Sequence, residues 1–276
     1  MIEEPQRKMM SSRLQFKVTI VKYGQRSTFE SDVYLNHRLY GQPDLEVEMA
    51  YYVWVVQNSD VTVVVDTGFS RAIGEKRERT TVLDLLAAFE HLGASPSSAP
   101  TVVVTHAHYD HIGNIGMFAN SPILIAKAEY DFWTGSVARR AQFAHWVESS
   151  EVDQLKIAAA EGRLRQFRGE FDLVPGIRLL EVGGHTAGQT LLLVDTAEGT
   201  VLLASDAVHY YKELEHDMPF AIVADLAAMY CGFDRVKAML ADGTATHLVP
   251  GHDPTVLERF TPVKAGPLAG LAATIG

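Results

Sequence analysis

Apolar residues along this chain gather in short runs, and only one long stripe recurs at helical spacing. Residues 14–23 alternate apolar and polar positions as a half-buried strand does. Residues 29–43 are turn-rich and aromatic, without a clear period. Residues 49–56 and 61–65 read as two strands joined at Gln57-Asn58-Ser59-Asp60, whose turn-forming side chains predict a hairpin. Asp66-Thr67-Gly68 closes the second of these strands and a charged loop fills 71–81. Thr81 is placed to cap a helix carrying Val82, Leu85, Leu86 and Phe89, which Gly93 ends. The loop 94–100 then leads into the β-branched run Thr101-Val102-Val103-Val104, a short buried strand. A strand at 122–125 and a helix at 127–133 follow.

Residues 139–162 have helical composition with weak periodicity. They interrupt the strand rhythm, so they read as an insertion able to lie over a site as a lid, or as an ordinary surface helical pair. Further strands are expected at 177–182, 190–194, 201–204 and 246–249. Between the last two, Leu226, Met229, Tyr230, Phe233, Val236, Met239 and Leu240 form the apolar stripe of a helix over 225–240. Clustered strands, intervening helices and the absence of repeats or low-complexity linkers argue for one α/β domain over 1–276, its layered sheets covered by helices. A loose leader is expected at 1–13.

Composition narrows the functional classes. A formal charge of −10 disfavours a phosphate-backbone partner, which needs local positive charge. The single cysteine, Cys231, rules out an intrachain disulfide or a thiolate metal cluster, and its helical setting reads as a small core residue. No apolar stretch approaches the roughly 18 residues of a membrane span, and the first 13 residues lack the apolar segment of a secretory signal. A cytoplasmic location is the expectation.

The chemistry concentrates in Thr105-His106-Ala107-His108-Tyr109-Asp110-His111, directly after the strand at 101–104. At a strand end, side chains two apart point the same way. His106 and His108 can therefore chelate one cation, leaving Asp110 and His111 for a second. Three more candidates follow apolar runs with small neighbours: His185 after Gly183-Gly184, Asp206 after Ser205, and His252 after Pro250-Gly251. Nitrogen and carboxylate donors without sulfur suit Zn²⁺, with Fe, Mn or Co as alternatives.

In this order, His106-x-His108-x-Asp110-His111, Gly184-His185-Thr186, Asp206 and Gly251-His252 resemble the metallo-β-lactamase superfamily of hydrolases. Asp66-Thr67-Gly68 resembles the aspartate motif early in those chains, and the resemblance runs over about residues 53–253. It implies an αββα sandwich of two mixed sheets, with two metals at one edge. It further implies His106, His108 and His185 on the first metal, Asp110, His111 and His252 on the second, and Asp206 bridging them. Asp66 would accept a hydrogen bond from a ligand imidazole and fix its tautomer.

Two such cations, roughly 3.5–4 Å apart, can hold a bridging hydroxide and polarise a carbonyl. Attack on an ester, lactone, thioester or amide then needs no protein nucleophile. Asp110 is suited to orient that hydroxide and to pass its proton to the leaving oxygen. His108 stands where oxygen-reducing diiron members carry glutamate, and the long extra domains and basic surfaces of the nucleases are missing. The chain looks most like N-acyl homoserine lactonases and related small-lactone hydrolases such as 4-pyridoxolactonases. One departure stands out: those lactonases often place a tyrosine three residues after the bridging aspartate, and here that position is His209, followed by Tyr210 and Tyr211. His209 is expected to donate a proton to the leaving oxygen, or Tyr210 to swing in. A glyoxalase-II-like thioesterase is the alternative enzyme, but it would want a basic C-terminal patch, and only Arg259 and Lys264 follow His252. A non-catalytic metal-binding scaffold is the alternative from another class, usually recognised by lost ligands, of which none is missing here. The expected partner is a small lactone or ester, with the aromatics of 29–52 offering a homodimer interface or a substrate rim.

Overall fold

The computed structural model describes residues 15–276, so the expected leader at 1–13 lies outside the described residues. Fourteen strands and nine short or medium helices alternate along them. The first sheet is built from β1 (Lys17–Phe29), β2 (Glu46–Gln57), β3 (Thr62–Val65), β4 (Thr80–Thr81), β5 (Thr101–Val104), β6 (Ile123–Ala126), β7 (Leu164–Phe167), β13 (Thr261–Pro262) and β14 (Ala272–Ile275). Its order is β13-β14-β1-β2-β3-β5-β6-β7, with β4 paired to β1. The second sheet, in order, is β12 (His247–Pro250), β11 (Gly199–Ser205), β10 (Thr190–Thr196), β9 (Ile177–Glu181) and β8 (Glu170–Val174). Both are mixed: β3, β5, β6 and β7 run parallel, as do β11 and β12, and the other pairings are antiparallel.

The period-two alternation of the strands explains the layering. On β2, Tyr51, Val53 and Val55 face one apolar cluster while Ala50, Tyr52, Trp54 and Val56 face another. The first cluster lies under the helices that cover the first sheet, including Leu85 and Phe89 of α3 (Leu85–His91), Trp133 of α5 (Lys127–Thr134) and Leu155 of α7 (Ser149–Ala160). The second cluster joins the sheets, since Leu192, Val194, Val201 and Leu203 of β10 and β11 meet Trp54 and Val103 there. On the far side, Leu191, Leu202 and Ala204 meet Met229, Phe233 and Val236 of α9 (Leu226–Ala241). Helix, sheet, sheet and helix thus follow one another, the expected αββα sandwich. Each fully buried Val, Leu or Phe contributes about 1.5–3 kcal/mol, so the alternation itself fixes which faces meet. No helix among the described residues is long and apolar enough to cross a membrane.

Several local expectations change. Thr81 does not cap a helix: it pairs with Gly24 as part of β4, and Asp84 caps α3 by accepting from the Leu86 and Ala87 amides at 2.9 and 3.2 Å. The charged loop 71–81 contains α2 (Arg71–Lys76), begun by Ser70. Residues 29–43 hold α1 (Glu30–Val33) and a 3₁₀ turn, His37–Tyr40. Cys231 is exposed rather than in the core, because two residues beyond the inward Met229 a helix has turned its outer face. Among the aromatics of 29–52, Tyr34, Tyr51 and Tyr52 are buried and Phe29 is exposed, so they do not form one surface strip. Strands β4, β7, β8, β13 and β14 have no counterpart among the strands expected from the sequence. Residues 139–162 contain α6 (Ala141–Ala144) and α7.

Candidate metal centre

The chemistry-bearing residues all follow strand ends at one edge of the sandwich. Asp66 follows β3, His106 and His108 follow β5, His185 follows β9, Asp206 follows β11 and His252 follows β12. Asp110 and His111 lie on the single-turn helix α4 (Tyr109–Ile112). Two residues here adopt left-handed backbone despite carrying side chains, Asp66 at φ 61° and Ser205 at φ 45°. Such strain of about 1–3 kcal/mol each is retained where surrounding bonds over-determine it. Those bonds are visible: Asp66 Oδ1 accepts from the Thr105 amide at 2.8 Å, Asp66 Oδ2 accepts from Thr105 Oγ1 at 2.6 Å, and that hydroxyl lies 2.9 Å from Ser205 Oγ. A Cβ on Gly251 would fall 2.5 Å from Asp206 Oδ1, so only glycine lets His252 arrive beside that carboxylate.

The structure brings all seven predicted ligands together. One ligand atom from each of His106, His108 and His185 falls in a group within 4.8 Å, as for Asp110, His111 and His252, and for His106, His111 and Asp206. Asp206 sits between the groups. Its Oδ1 is 3.3 Å from His111 Nε2, while Oδ2 is 3.2 Å from His252 Nε2, 3.4 Å from His185 Nε2 and 3.7 Å from His106 Nε2. Three imidazoles are oriented from behind: His111 Nδ1–H donates to Asp66 Oδ2, His185 Nδ1–H to Ile222 O and His252 Nδ1–H to Ala50 O, each at 2.7 Å. That tautomer turns each Nε2 lone pair toward the centre.

Electrostatics fit a cation. Burial, and then neighbouring imidazoles, push His185 well below the usual range; burial does the same for His106 and takes His108 down to about 4. Such shifts favour the neutral rings a metal needs, and His185 Nε2 already lies 3.0 Å from His108 Nδ1. Burial opposes charge on His111 as well, but Asp206, Asp66 and Asp110 outweigh it and raise that ring well above its ordinary value, so a cation there would take the place of the Nε2 proton. Asp206 is held far below the carboxylate range because His252, His111, His209 and His106 outweigh its burial. His106 Nε2, His111 Nε2, Asp206 Oδ1 and His209 Nε2 are buried without a hydrogen-bond partner among the described residues. Buried polar atoms are seldom left so; cations would satisfy those of His106, His111 and Asp206, while His209 Nε2 faces Asp206 Oδ2 at 3.2 Å. The donor set therefore fits a dinuclear metal centre.

His209 joins the cluster. Its Nε2 lies 3.2 Å from Asp206 Oδ2, its Nδ1 lies 3.2 Å from the buried Glu213, and Phe220 stacks on it at 3.8 Å. Glu213 and Asp206 outweigh burial and raise His209 to about 9. Tyr210 faces elsewhere, its hydroxyl donating to Glu48 O at 3.3 Å.

Sequence reading missed Glu129 on α5. This fully buried carboxylate accepts from the Ala107 amide at 2.8 Å, from Trp133 Nε1 at 2.7 Å and from the Gly188 amide at 2.8 Å. It ties the loop between His106 and His108 to the loop after His185. A lone glutamate at the start of a helix carries no sequence signal for this.

Beside His108 and His185 opens a cavity of about 610 Å³, walled by Phe132, Trp133, Phe143 and Trp146. Gln142, Phe143 and Trp146 come from the segment 139–162. A narrower cleft continues from it past Tyr109 to Asp110 and Asp206.

Residues 48–252 match the profile of the metallo-β-lactamase superfamily. The chain belongs to that superfamily. It is a metal-dependent hydrolase, and its fold and donor set agree with that membership. It is 25% identical over 193 residues to an N-acyl homoserine lactonase of a Bacillus species, covering 63% of this chain and 70% of that one. To the acyl-coenzyme A thioesterase MBLAC2 of Bos taurus it is 27% identical over 218 residues, covering 72% of each. Among solved structures, a quorum-quenching N-acyl homoserine lactone lactonase superposes with a TM-score of 0.73 at 21% identity, over 88% of this chain and 94% of that one.

Proposed function

We propose that this superfamily member opens the ring of a lactone, an N-acyl homoserine lactone or a related small cyclic ester. The carrying observation is the union of the seven-ligand cluster with an aromatic-walled cavity that opens directly on His108 and His185. The relatedness to N-acyl homoserine lactonases supports the same reading. In it, His106, His108 and His185 hold one cation, Asp110, His111 and His252 the other, and Asp206 both. Zn²⁺ suits these nitrogen and oxygen donors, as Fe, Mn or Co also would. Two bound cations supply Lewis-acid polarisation of the ester carbonyl and a nucleophilic water at neutral pH.

The protein's own part follows from geometry. Asp66 fixes the His111 tautomer, and Glu129 and Thr105 hold the ligand loops. Asp110 would orient the attacking water and take up its proton, leaving the departing alkoxide oxygen to be protonated by another group. His209, fixed between Asp206 and Glu213, is better placed than Tyr210 to protonate that oxygen. The aromatic wall excludes water and holds the body of the substrate.

A panel followed by pH indicator tests the reading: acyl-homoserine lactones, simple γ- and δ-lactones, pyridoxolactone, S-lactoylglutathione and a β-lactam. Ring opening of lactones is the expected result. Hydrolysis of the thioester alone would replace the lactonase reading with the thioesterase one.

A further inference from the structure

One guanidinium stands where the cavity and the metal cleft meet. Arg26 of β1 lines both, and His108, Trp146, His185 and Ile222 are the other residues they share. A molecule passing from the cavity to Asp110 and Asp206 therefore meets Arg26. Its Nε is buried without a hydrogen-bond partner, and no carboxylate among the described residues pairs with it. Asp32 lines the outer cavity, but it is exposed and its carboxylate accepts from Thr28 Oγ1 at 3.0 Å.

A second guanidinium lines the cleft. Arg79 Nε donates to Tyr109 Oη at 3.1 Å, and that hydroxyl lies 3.5 Å from Tyr51 Oη. Arg79 also lacks a carboxylate partner among the described residues. Arg77, two residues earlier, contrasts with both, since Glu148 neutralises it at 2.7 Å. In a chain of net charge −10, two arginines without a carboxylate ion pair among the described residues line the same cleft as Asp110 and Asp206. A partly buried guanidinium without an anion is unfavourable, and its planar fork matches a carboxylate. Much of the remaining cavity wall is aromatic, from Phe132, Trp133, Phe143 and Trp146.

We propose that the substrate carries a carboxylate, received by Arg26, on a ring-sized apolar body held by Phe132, Trp133, Phe143 and Trp146. The lactone would then be an acidic one rather than an uncharged acyl lactone. This rests on the lactonase reading and narrows it.

The test uses the metal-loaded protein and its Arg26→Gln and Arg26→Lys variants. Two γ-lactones that differ only in a side-chain carboxylate or carboxamide are compared by kcat/KM. Binding of 2-naphthoate and 2-naphthamide is measured by calorimetry. The wild type is expected to prefer both acids over their amides. Arg26→Gln is expected to reduce each preference about 10- to 100-fold, and Arg26→Lys to restore part of it, with metal content unchanged. An acid-over-amide preference that is absent in the wild type, or that survives Arg26→Gln intact in both assays, overturns the proposal. If neither lactone is opened while 2-naphthoate binding depends on Arg26, the lactonase reading fails and the anion site stands. If the amide lactone is opened as readily as the acid, the lactonase reading stands and the anion site falls.

Discussion

Glu129 accepts a hydrogen bond from the Gly188 amide at 2.8 Å, across 59 residues of sequence, and so locks one metal-ligand loop to the other. Its second oxygen holds Ala107, between the two histidines of the first loop, at 2.8 Å. A Cβ on Gly188 would collide with the Glu129 backbone, so the residue pair is matched in size as well as in charge. Ligand loops from two different sheets are thereby registered by one buried side chain.

That arrangement makes Glu129 a positioning residue. Glu129→Gln would turn an NH₂ toward a backbone N–H at one of the two loops, leaving a donor facing a donor. Metal affinity is expected to fall about 10- to 100-fold, as for other groups that orient ligands from behind, while the far-ultraviolet circular dichroism stays native. Competition with a chromophoric chelator measures this. An affinity within twofold of wild type would reduce Glu129 to a packing role.

On the proposed reading, Asp206 would serve both cations. Its two oxygens face His111 on one side and His252, His185 and His106 on the other. Asp206→Ala should therefore lower metal content from close to two equivalents to one or fewer. Turnover should fall about 100-fold or more, since a two-cation clamp supplies several kcal/mol. Elemental analysis alongside kinetics decides it. Normal metal content with normal activity would refute the shared-ligand role.

His209→Phe separates chemistry from structure. Phenylalanine can keep the stack on Phe220, seen at 3.8 Å for the imidazole, but it carries no proton. We expect kcat to fall about 100-fold or more with metal content unchanged. Tyr210→Phe, whose hydroxyl is spent on Glu48 O, should stay close to wild type. Because Glu213 loses its ring partner, Tm should drop, so rates are compared well below it. An unaltered kcat removes His209 from the mechanism, and a lost metal equivalent would make it a ligand instead.

The clustering of the candidate ligands was legible because their apolar runs end at one edge of the sandwich, and because the His-x-His-x-Asp-His spacing is specific. The layering was legible too, since β2 and β11 alternate between two apolar clusters. What escaped depends on tertiary partners. Thr81 has the chemistry of a cap, but pairing with Gly24 withdraws it, and Asp84 takes the position. Strands such as β8 (Glu-Phe-Asp-Leu-Val) expose alternate polar residues at a sheet edge and carry little apolar signal. Arg26 and Glu129 look like ordinary charged positions on a strand and a helix. Only the fold reveals that one lacks a counter-ion among the described residues and that the other gathers donors from two loops.

The pH dependence of stability offers a test away from the metals. Glu151, at the start of α7, forms a capping box with Glu148, its carboxylate accepting from the Glu148 amide at 3.3 Å. Burial is the main influence on it and raises the carboxyl to about 7. The folded protein therefore holds a proton that the unfolded chain has released once pH exceeds its ordinary value near 4.5. By linkage, the folded state binds more protons in this window, so Glu151's contribution is fully present below about pH 4.5 and is lost as pH rises toward 7. Glu151→Gln keeps an acceptor for the Glu148 amide and cannot ionise. The variant should match wild type near pH 4.5 and exceed it above pH 7 by on the order of 1–3 kcal/mol. Urea denaturation at both pH values measures the difference. A variant whose advantage is the same at both would show that Glu151 is not the titrating group.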